Sequence, residues 1–369
     1  MPQRIPKPMS TENYSQLERR PALTSNRGKV TQSFFVPGDK EQPKLDAKIV
    51  RTKRRDAKGN YIYEVRLDLD GFSLGERALP PGLASVAVTK RLPAKVVAQQ
   101  AALLEAFIPD HLEFIPTPTD IVKARPRQPK RAKRDVRYNT TIFGADDRAV
   151  FRDTSYPWSA FGRCETNFGP FSGVMIGPRH ILTCNHGIDW TPPPGYDADW
   201  LTFTPAYYDG TAPFGSTYAT HVYYVKKDNN DGFSNGDEGQ YDYTVLVLND
   251  RIGDRTGWLG TRRYTDAWDP LAAWWHIGYP QDLTSLERPT FQSWFTINGD
   301  DNQPDAHEAI YHQADVFPGQ SGGAVFGFWN GDVGPRAVAV QSWQNTTTNG
   351  ASGGGDLVDL AIRARTDFP

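Results

Sequence analysis

From Phe151 onward the chain is a succession of short apolar runs cut by Gly, Pro, Asn and Asp, and this rhythm limits the fold more than any other feature. Gly173-Val174-Met175-Ile176, His180-Ile181-Leu182-Thr183, Tyr243-Thr244-Val245-Leu246-Val247-Leu248, Trp274-Trp275-His276-Ile277 and Ala337-Val338-Ala339-Val340 are examples. Runs of this length, closely followed by turn residues, suit strands that each bury one face, and no long helical period interrupts them. The expectation is an all-β fold, either a sandwich or barrels. The stretch is long enough for two barrels of about a hundred residues each, a first near residues 150–255 and a second near 268–365.

The remainder of the chain differs in composition. Residues 1–134 hold 26 Lys and Arg against 14 Asp and Glu, a balance of +12, whereas residues 135–369 hold 15 against 29, a balance of −14. All 10 Trp and both Cys also lie after residue 134. Segments this different are read as separate units: a basic N-terminal pro-region, 1–134, and a unit spanning 135–369. Within the first, residues 1–45 are polar and aperiodic and are expected to form a disordered arm. Residues 46–110 hold a hairpin pattern around Asp56-Ala57-Lys58-Gly59-Asn60, then helical spacing of Val96, Val97, Ala101, Leu103, Leu104, Phe107 and Ile108. Together they make a small α+β unit. Residues 111–134 form a linker ending in Arg131-Ala132-Lys133-Arg134. A solvated basic linker, or a patch for nucleic acid or an anionic membrane, is the plain reading. The Arg-x-Lys-Arg form resembles the sites cut by furin- and kexin-type processing proteases. It falls where the charge balance changes sign, in the kind of extended segment that is easily nicked. Processing at Arg131, Lys133 and Arg134 is therefore expected.

Two cysteines exclude a disulfide-stapled miniprotein and a metal site built on thiolates. No apolar run reaches the length of a membrane span, and Met1 to Leu23 contain no hydrophobic core of a signal peptide. The acidic loop Asp228-Asn229-Asn230-Asp231-Gly232 with Asp237-Glu238 lacks the ligand spacing of a calcium loop and is read as solvated. No metal, no cofactor and no nucleic-acid partner is expected.

Chemistry enters at Pro318-Gly319-Gln320-Ser321-Gly322-Gly323-Ala324-Val325. A serine set among glycines ahead of an apolar strand suits a nucleophile loop, because glycine lets backbone N–H groups approach a reacting carbonyl. A serine hydroxyl needs a base, and that base needs an orienting acid. His186 follows a turn, an apolar strand and small polar residues, which places it at a strand end facing a cleft. Asp242, in Gly239-Gln240-Tyr241-Asp242-Tyr243, leads into the strand 243–248 and suits the acid.

In the order His186, Asp242, Ser321, these three motifs resemble those of the trypsin/chymotrypsin-like serine proteases, with the nearest likeness to the bacterial and fungal glutamyl endopeptidase-like branch. Ile142-Phe143-Gly144-Ala145-Asp146-Asp147-Arg148, Ser155-Tyr156-Pro157, Ile252-Gly253 and Gly278-Tyr279-Pro280 extend the likeness over about 140–365. It implies a double antiparallel β-barrel with the triad at the junction, an oxyanion hole from the N–H groups of Gly319 and Ser321, and protein or peptide substrates. With the Arg131-Ala132-Lys133-Arg134 site it points to a secreted zymogen matured by a processing protease, and the opposite charges of the two segments suggest that the pro-region docks electrostatically on the catalytic unit until then. A degenerate binding protein, or a protease retaining a basic nucleic-acid- or membrane-binding module, are the alternatives.

The same resemblance assigns further positions. Gln320 stands where trypsin-type enzymes carry the aspartate that pairs with the freed N-terminus, so that ion pair cannot form. Asp315 falls where trypsin places the pocket-base aspartate that favours Arg or Lys, and the glutamyl branch also has an acid there, so it does not decide the substrate residue. Gln341 and Val316 replace the residues that recognise a substrate glutamate, and Ser342-Trp343 resembles the trypsin pocket strand. The cysteines depart from the family pattern, since Cys184 lies two residues before His186 where trypsin-like enzymes carry a cysteine just after the histidine; with Cys164 on the preceding strand, a bridge across a hairpin is expected.

Overall fold

A computed structural model describes residues 5–23, 50–55, 61–66, 79–122, 142–232, 238–300, 306–345 and 347–369. The chain forms two compact units, Met1–Val30 with Pro80–Pro369, and Thr31–Leu79. The smaller holds the expected hairpin, β1 (Val50–Arg55) paired antiparallel with β2 (Tyr61–Arg66).

The larger unit begins with β3 (Ala84–Ala87), β4 (Ile121–Val122) and β5 (Ala149–Phe151). Six strands follow: β6 (Phe161–Thr166), β7 (Gly169–Gly177), β8 (His180–Thr183), β9 (Thr202–Pro205), β10 (Thr217–Tyr224) and β11 (Thr244–Leu248). They run in the order β11-β8-β7-β6-β9-β10, and β10 pairs with β11, so the sheet closes into a barrel. The second half contributes β12 (Gly260–Thr261), β13 (Trp274–Gly278), β14 (Thr290–Phe295), β15 (Ile297–Gly299), β16 (Glu308–His312), β17 (Ala324–Gly327), β18 (Arg336–Gln344) and β19 (Asn349–Gly353). These curl into a second sheet ordered β15-β16-β19-β18-β17-β13-β14-β5-β4, with β12 on β18. The helix Gly355–Asp367 closes the chain. The fold is the expected mostly-β double barrel. Strands such as β8, β11 and β17 are buried throughout their length, which is why they read as unbroken apolar runs rather than as alternation.

The N-terminal region differs from its expectation. Residues 5–23, read as part of a disordered arm, carry a helical turn at Thr11–Tyr14 and bury Met9 and Tyr14. The Met9 N–H donates to Phe328 O at 2.7 Å, and the Tyr14 ring packs edge-on against Trp294 and Phe328 at 4.8 and 5.1 Å. The expected hairpin-plus-helix unit is split, because the helix Ala94–Gln99 lies in the larger unit and a 3-10 turn, Ala101–Leu104, replaces its second half. β3 lies parallel to β10 on the edge of the first barrel. Phe107 and Trp258 exchange backbone hydrogen bonds at 3.0 and 3.1 Å, and their rings stack at 4.4 Å. Met9, Tyr14, Leu83, Val88 and Phe114 share one hydrophobic core with Trp158, Trp275 and Phe328.

Candidate active site

β8 ends at Thr183, and the chain turns so that His186 sits above the barrel rim with its side chain 24% exposed. A 3-10 turn, Gly239–Tyr241, delivers Asp242 just ahead of β11, where it is buried. The two side chains meet. His186 Nδ1–H donates to Asp242 Oδ2 at 2.6 Å, which leaves Nε2 as the ring's lone-pair nitrogen. Asp242 Oδ1 accepts the backbone N–H groups of Asn185 (2.8 Å) and His186 (2.9 Å). Ser342 Oγ–H donates to Oδ2. Burial opposes the charged imidazole, but the Asp242 carboxylate beside it prevails and raises the His186 pKa well above the usual histidine value.

Ser321 comes from the other sheet, in the turn before β17. Its backbone carbonyl accepts the Ser172 N–H at 2.9 Å, and Ser172 Oγ–H donates to Gly319 O at 2.8 Å. Glycine is required at two points of this turn. Gly319 has φ +98°, and a Cβ there would lie 2.4 Å from Tyr279 O. Gly322 has φ +76°, and a Cβ there would meet Cys184 N at 2.9 Å. The loop is thus pressed against the end of the strand that leads to His186. Gly319 and Ser321 both line an open cleft. Among the described residues, neither N–H is taken by another group.

Val316, Gln341, Ser342 and Trp343 line the same cleft, with Phe317, Pro318 and Gln344. Gln341 is fixed by two bonds: its Oε1 accepts from His312 Nε2 at 2.8 Å and its Nε2 donates to Trp343 O at 2.8 Å. Asp315 is a correction. Its side chain does not line the cleft; it is buried, and its two oxygens accept the backbone N–H groups of Phe143 (2.7 Å) and Asp147 (2.9 Å).

The expected Cys164–Cys184 bridge is also corrected. Both thiols are free and buried. β6 and β8 flank β7 rather than pairing with each other, so the two backbones are separated by two strand spacings of about 4.8 Å. A disulfide needs Cα atoms within about 7 Å. Arg131, Lys133 and Arg134 lie outside the described residues. Among those described, no group of three or more His, Cys, Asp or Glu converges as a metal-binding set.

Three contributors were missed by sequence reasoning: Ser342 as a partner of Asp242, Ser172 as a support of the loop carrying Ser321, and Arg148. Arg148 alone had a signal, in the Asp146-Asp147-Arg148 triplet, but nothing marked where it would reach.

Two further histidines underlie this region. His276 and His312 are buried neutral, and burial pushes their pKa values down to about 3 and about 4. His180, under the C-terminal helix, is pushed down to about 3 by burial and the nearby Arg365. The unfolded chain binds these protons near pH 6.5, whereas the native state refuses them until far lower pH. Their contribution to stability is therefore complete above about pH 6.5 and is lost as pH falls toward 3–4. A series of melting curves should show the transition temperature dropping steadily from pH 6.5 to 4.5, a range largely above carboxylate titration. A flat response there would contradict the burial of neutral rings.

No family model matches the chain. Among curated proteins it is similar to a glutamyl endopeptidase of Bacillus licheniformis, 28% identical over 236 residues, which covers 63% of this chain and 67% of that protein. It is also similar to an extracellular metalloprotease of Bacillus subtilis, 25% identical over 225 residues, covering 58% of this chain and 64% of that protein. The chain thus spans about two thirds of the curated relatives it matches. Among solved structures, a Glu endopeptidase in complex with MPD aligns with a TM-score of 0.49 at 22% identity, over 61% of this chain and 99% of that one. The protease Anisep from Arthrobacter nicotinovorans aligns at 0.44 and 21%, over 56% and 95%.

Proposed function

We propose that the chain is a chymotrypsin-like serine protease of the glutamyl endopeptidase-like branch, a peptide-bond hydrolase, and that it is an endopeptidase acting through Ser321, His186 and Asp242. Ser321 Oγ attacks the scissile carbonyl while His186 Nε2 takes its proton. Asp242 holds the ring in the required tautomer and stabilises the imidazolium. The N–H groups of Gly319 and Ser321 receive the negative charge of the tetrahedral intermediate, each donor contributing about 3–4 kcal/mol. His186 then protonates the leaving amine, and water, deprotonated by the same ring, releases the acyl group from Ser321. The observation that carries this reading is the buried, fourfold hydrogen-bonded Asp242 carboxylate, joined to His186 on one side and, through Ser342, to the cleft containing Ser321.

The name of the Bacillus licheniformis relative specifies glutamyl bonds for that protein. In this chain the cleft beside Ser321 is lined by Val316, Phe317, Gln341, Trp343 and Gln344, and among the described residues no charged side chain lines it. The residue on the acyl side of the cut bond is therefore proposed to be uncharged. Digesting a random-sequence peptide library with the full chain and mapping the new termini tests both parts. Internal cuts after uncharged residues are expected. Cuts confined to Glu, or to Arg and Lys, would overturn the pocket reading alone, and no cutting at all would overturn the endopeptidase reading.

Secretion and maturation near Arg134 complete the proposal. Comparing the chain with an Arg134→Ala form should show a smaller mature species only for the former. A second reading, in which residues 1–134 stay with the working enzyme, is favoured by the packing of Met9, Tyr14, Leu83, Val88 and Phe114 into the shared core.

A further inference from the structure

Gln320 adjoins Ser321, and a cation reaches it from 172 positions earlier in the chain: Arg148 Nη1 donates to Gln320 Oε1 at 2.9 Å. The Arg148 side chain is only 1% exposed. Two carboxylates hold its guanidinium plane, Asp146 through Nε (3.0 Å) and Nη2 (2.7 Å), and Asp282 through Nη1 (3.2 Å) and Nη2 (2.6 Å). A planar fork fixed on two sides presents its remaining N–H in one direction, which a lysine ammonium cannot reproduce.

The Gln320 oxygen has a second donor, the Phe317 N–H at 3.0 Å. Because a backbone N–H must meet an acceptor, this contact also fixes which end of the carboxamide faces Arg148. The Gln320 N–H in turn donates to Phe317 O at 3.1 Å. The side chain of Gln320 thus closes from within the turn that carries Gly319, and Arg148 holds that side chain from outside. Asp315 supplies a second tie on the near side of the turn, through the N–H groups of Phe143 and Asp147. The segment Phe143–Arg148 therefore grips the nucleophile loop both before Val316 and at Gln320.

We propose that Arg148 is a positioning residue that sets the turn Phe317–Gly322 in the shape where the Gly319 and Ser321 N–H groups line the cleft. The contact uses a side chain and no free α-amino group, so it holds in the uncut chain. This rests on Ser321 being the nucleophile. Where trypsin-type enzymes order this loop with a freed N-terminus, the present chain orders it with an internal guanidinium bound to a neutral amide.

Kinetics of the full chain test it with three variants: Arg148→Lys, Gln320→Leu and the pair combined. Misplacing reacting groups by about 1 Å can cost on the order of a hundredfold in rate. Arg148→Lys should lower kcat and the rate of Ser321 labelling by a fluorophosphonate about 10- to 100-fold. KM should stay within about threefold, with an unchanged circular-dichroism spectrum. Gln320→Leu, which removes the acceptor and no charge, should reproduce the loss, and it serves alone if the arginine variant fails to fold. The combined variant should be no slower than the worse single one, since both remove one contact. Arg148→Lys with kcat within about twofold of the parent, or losses that multiply in the combined variant, would overturn the proposal. Absence of labelling in the parent chain would instead overturn the assignment of Ser321, so the two failures are distinguishable.

Discussion

Replacing Ser321 with alanine should lower kcat by roughly six orders of magnitude while leaving the fold intact. The fold draws on this residue through its backbone, whose carbonyl accepts the Ser172 N–H, and an alanine keeps that bond. Asp242→Asn should cost about four orders of magnitude, for a different reason. Both carboxylate oxygens accept, from Asn185 N, His186 N, His186 Nδ1 and Ser342 Oγ. An amide has only one acceptor oxygen, so its NH₂ must face a donor, and the imidazole loses its required tautomer. The pH profile of kcat/KM separates the roles further. Because Asp242 raises the His186 pKa, Nε2 becomes protonated and unable to accept the Ser321 proton as pH falls through a value above 6.5. The parent should therefore show an acid limb above pH 6.5, and Asp242→Asn should move it downward. An acid limb unmoved by that substitution would contradict the coupling.

A chain lacking residues 1–134 should fail to fold cooperatively. Met9, Tyr14, Leu83, Val88, Phe114 and Ile115 are all buried, and burying a large apolar side chain contributes about 1.5–3 kcal/mol. Their sum is comparable to the whole stability of about 5–15 kcal/mol typical of a domain. Removing them would also bare the faces of Trp275, Phe328 and Trp258. Arg336 would lose Leu104 O and the Glu105 carboxylate, and Asp359 would lose Arg91. Thermal melts of residues 135–369 alone, and after addition of residues 1–134 in trans, are the test. No cooperative transition in the first and its restoration in the second is the expected pair. A fragment melting like the full chain would show the N-terminal region to be dispensable.

The charge split at residue 134 suggested that the two parts dock by electrostatics. The described contacts are mostly apolar, with Arg91 on Asp356 and Asp359 as the main cationic contribution from the N-terminal side. Net charge speaks to solubility and association, and says little about which faces pack. The double barrel was legible because buried strands leave short apolar runs between turns, and the order of the His186, Asp242 and Ser321 motifs made the resemblance to chymotrypsin-like serine proteases legible. What lay beyond reach depended on side-chain direction and strand order. Asp315 has the offset of a pocket base, yet the segment 143–147 passes behind it and takes both oxygens. The cysteines seemed to share a hairpin, but β7 separates their strands. Tyr14 gave no periodic signal, since its burial is decided by Trp294 and Phe328, some three hundred positions away.

The assignment of Ser321 is tested most directly by treating the folded full chain with a fluorophosphonate and mapping the modified peptide by mass spectrometry. The reagent captures a serine activated by a neighbouring base and ignores ordinary hydroxyls. Stoichiometric labelling at Ser321, lost in His186→Ala, is the predicted result. An unlabelled chain, or a label on any other serine, would contradict it.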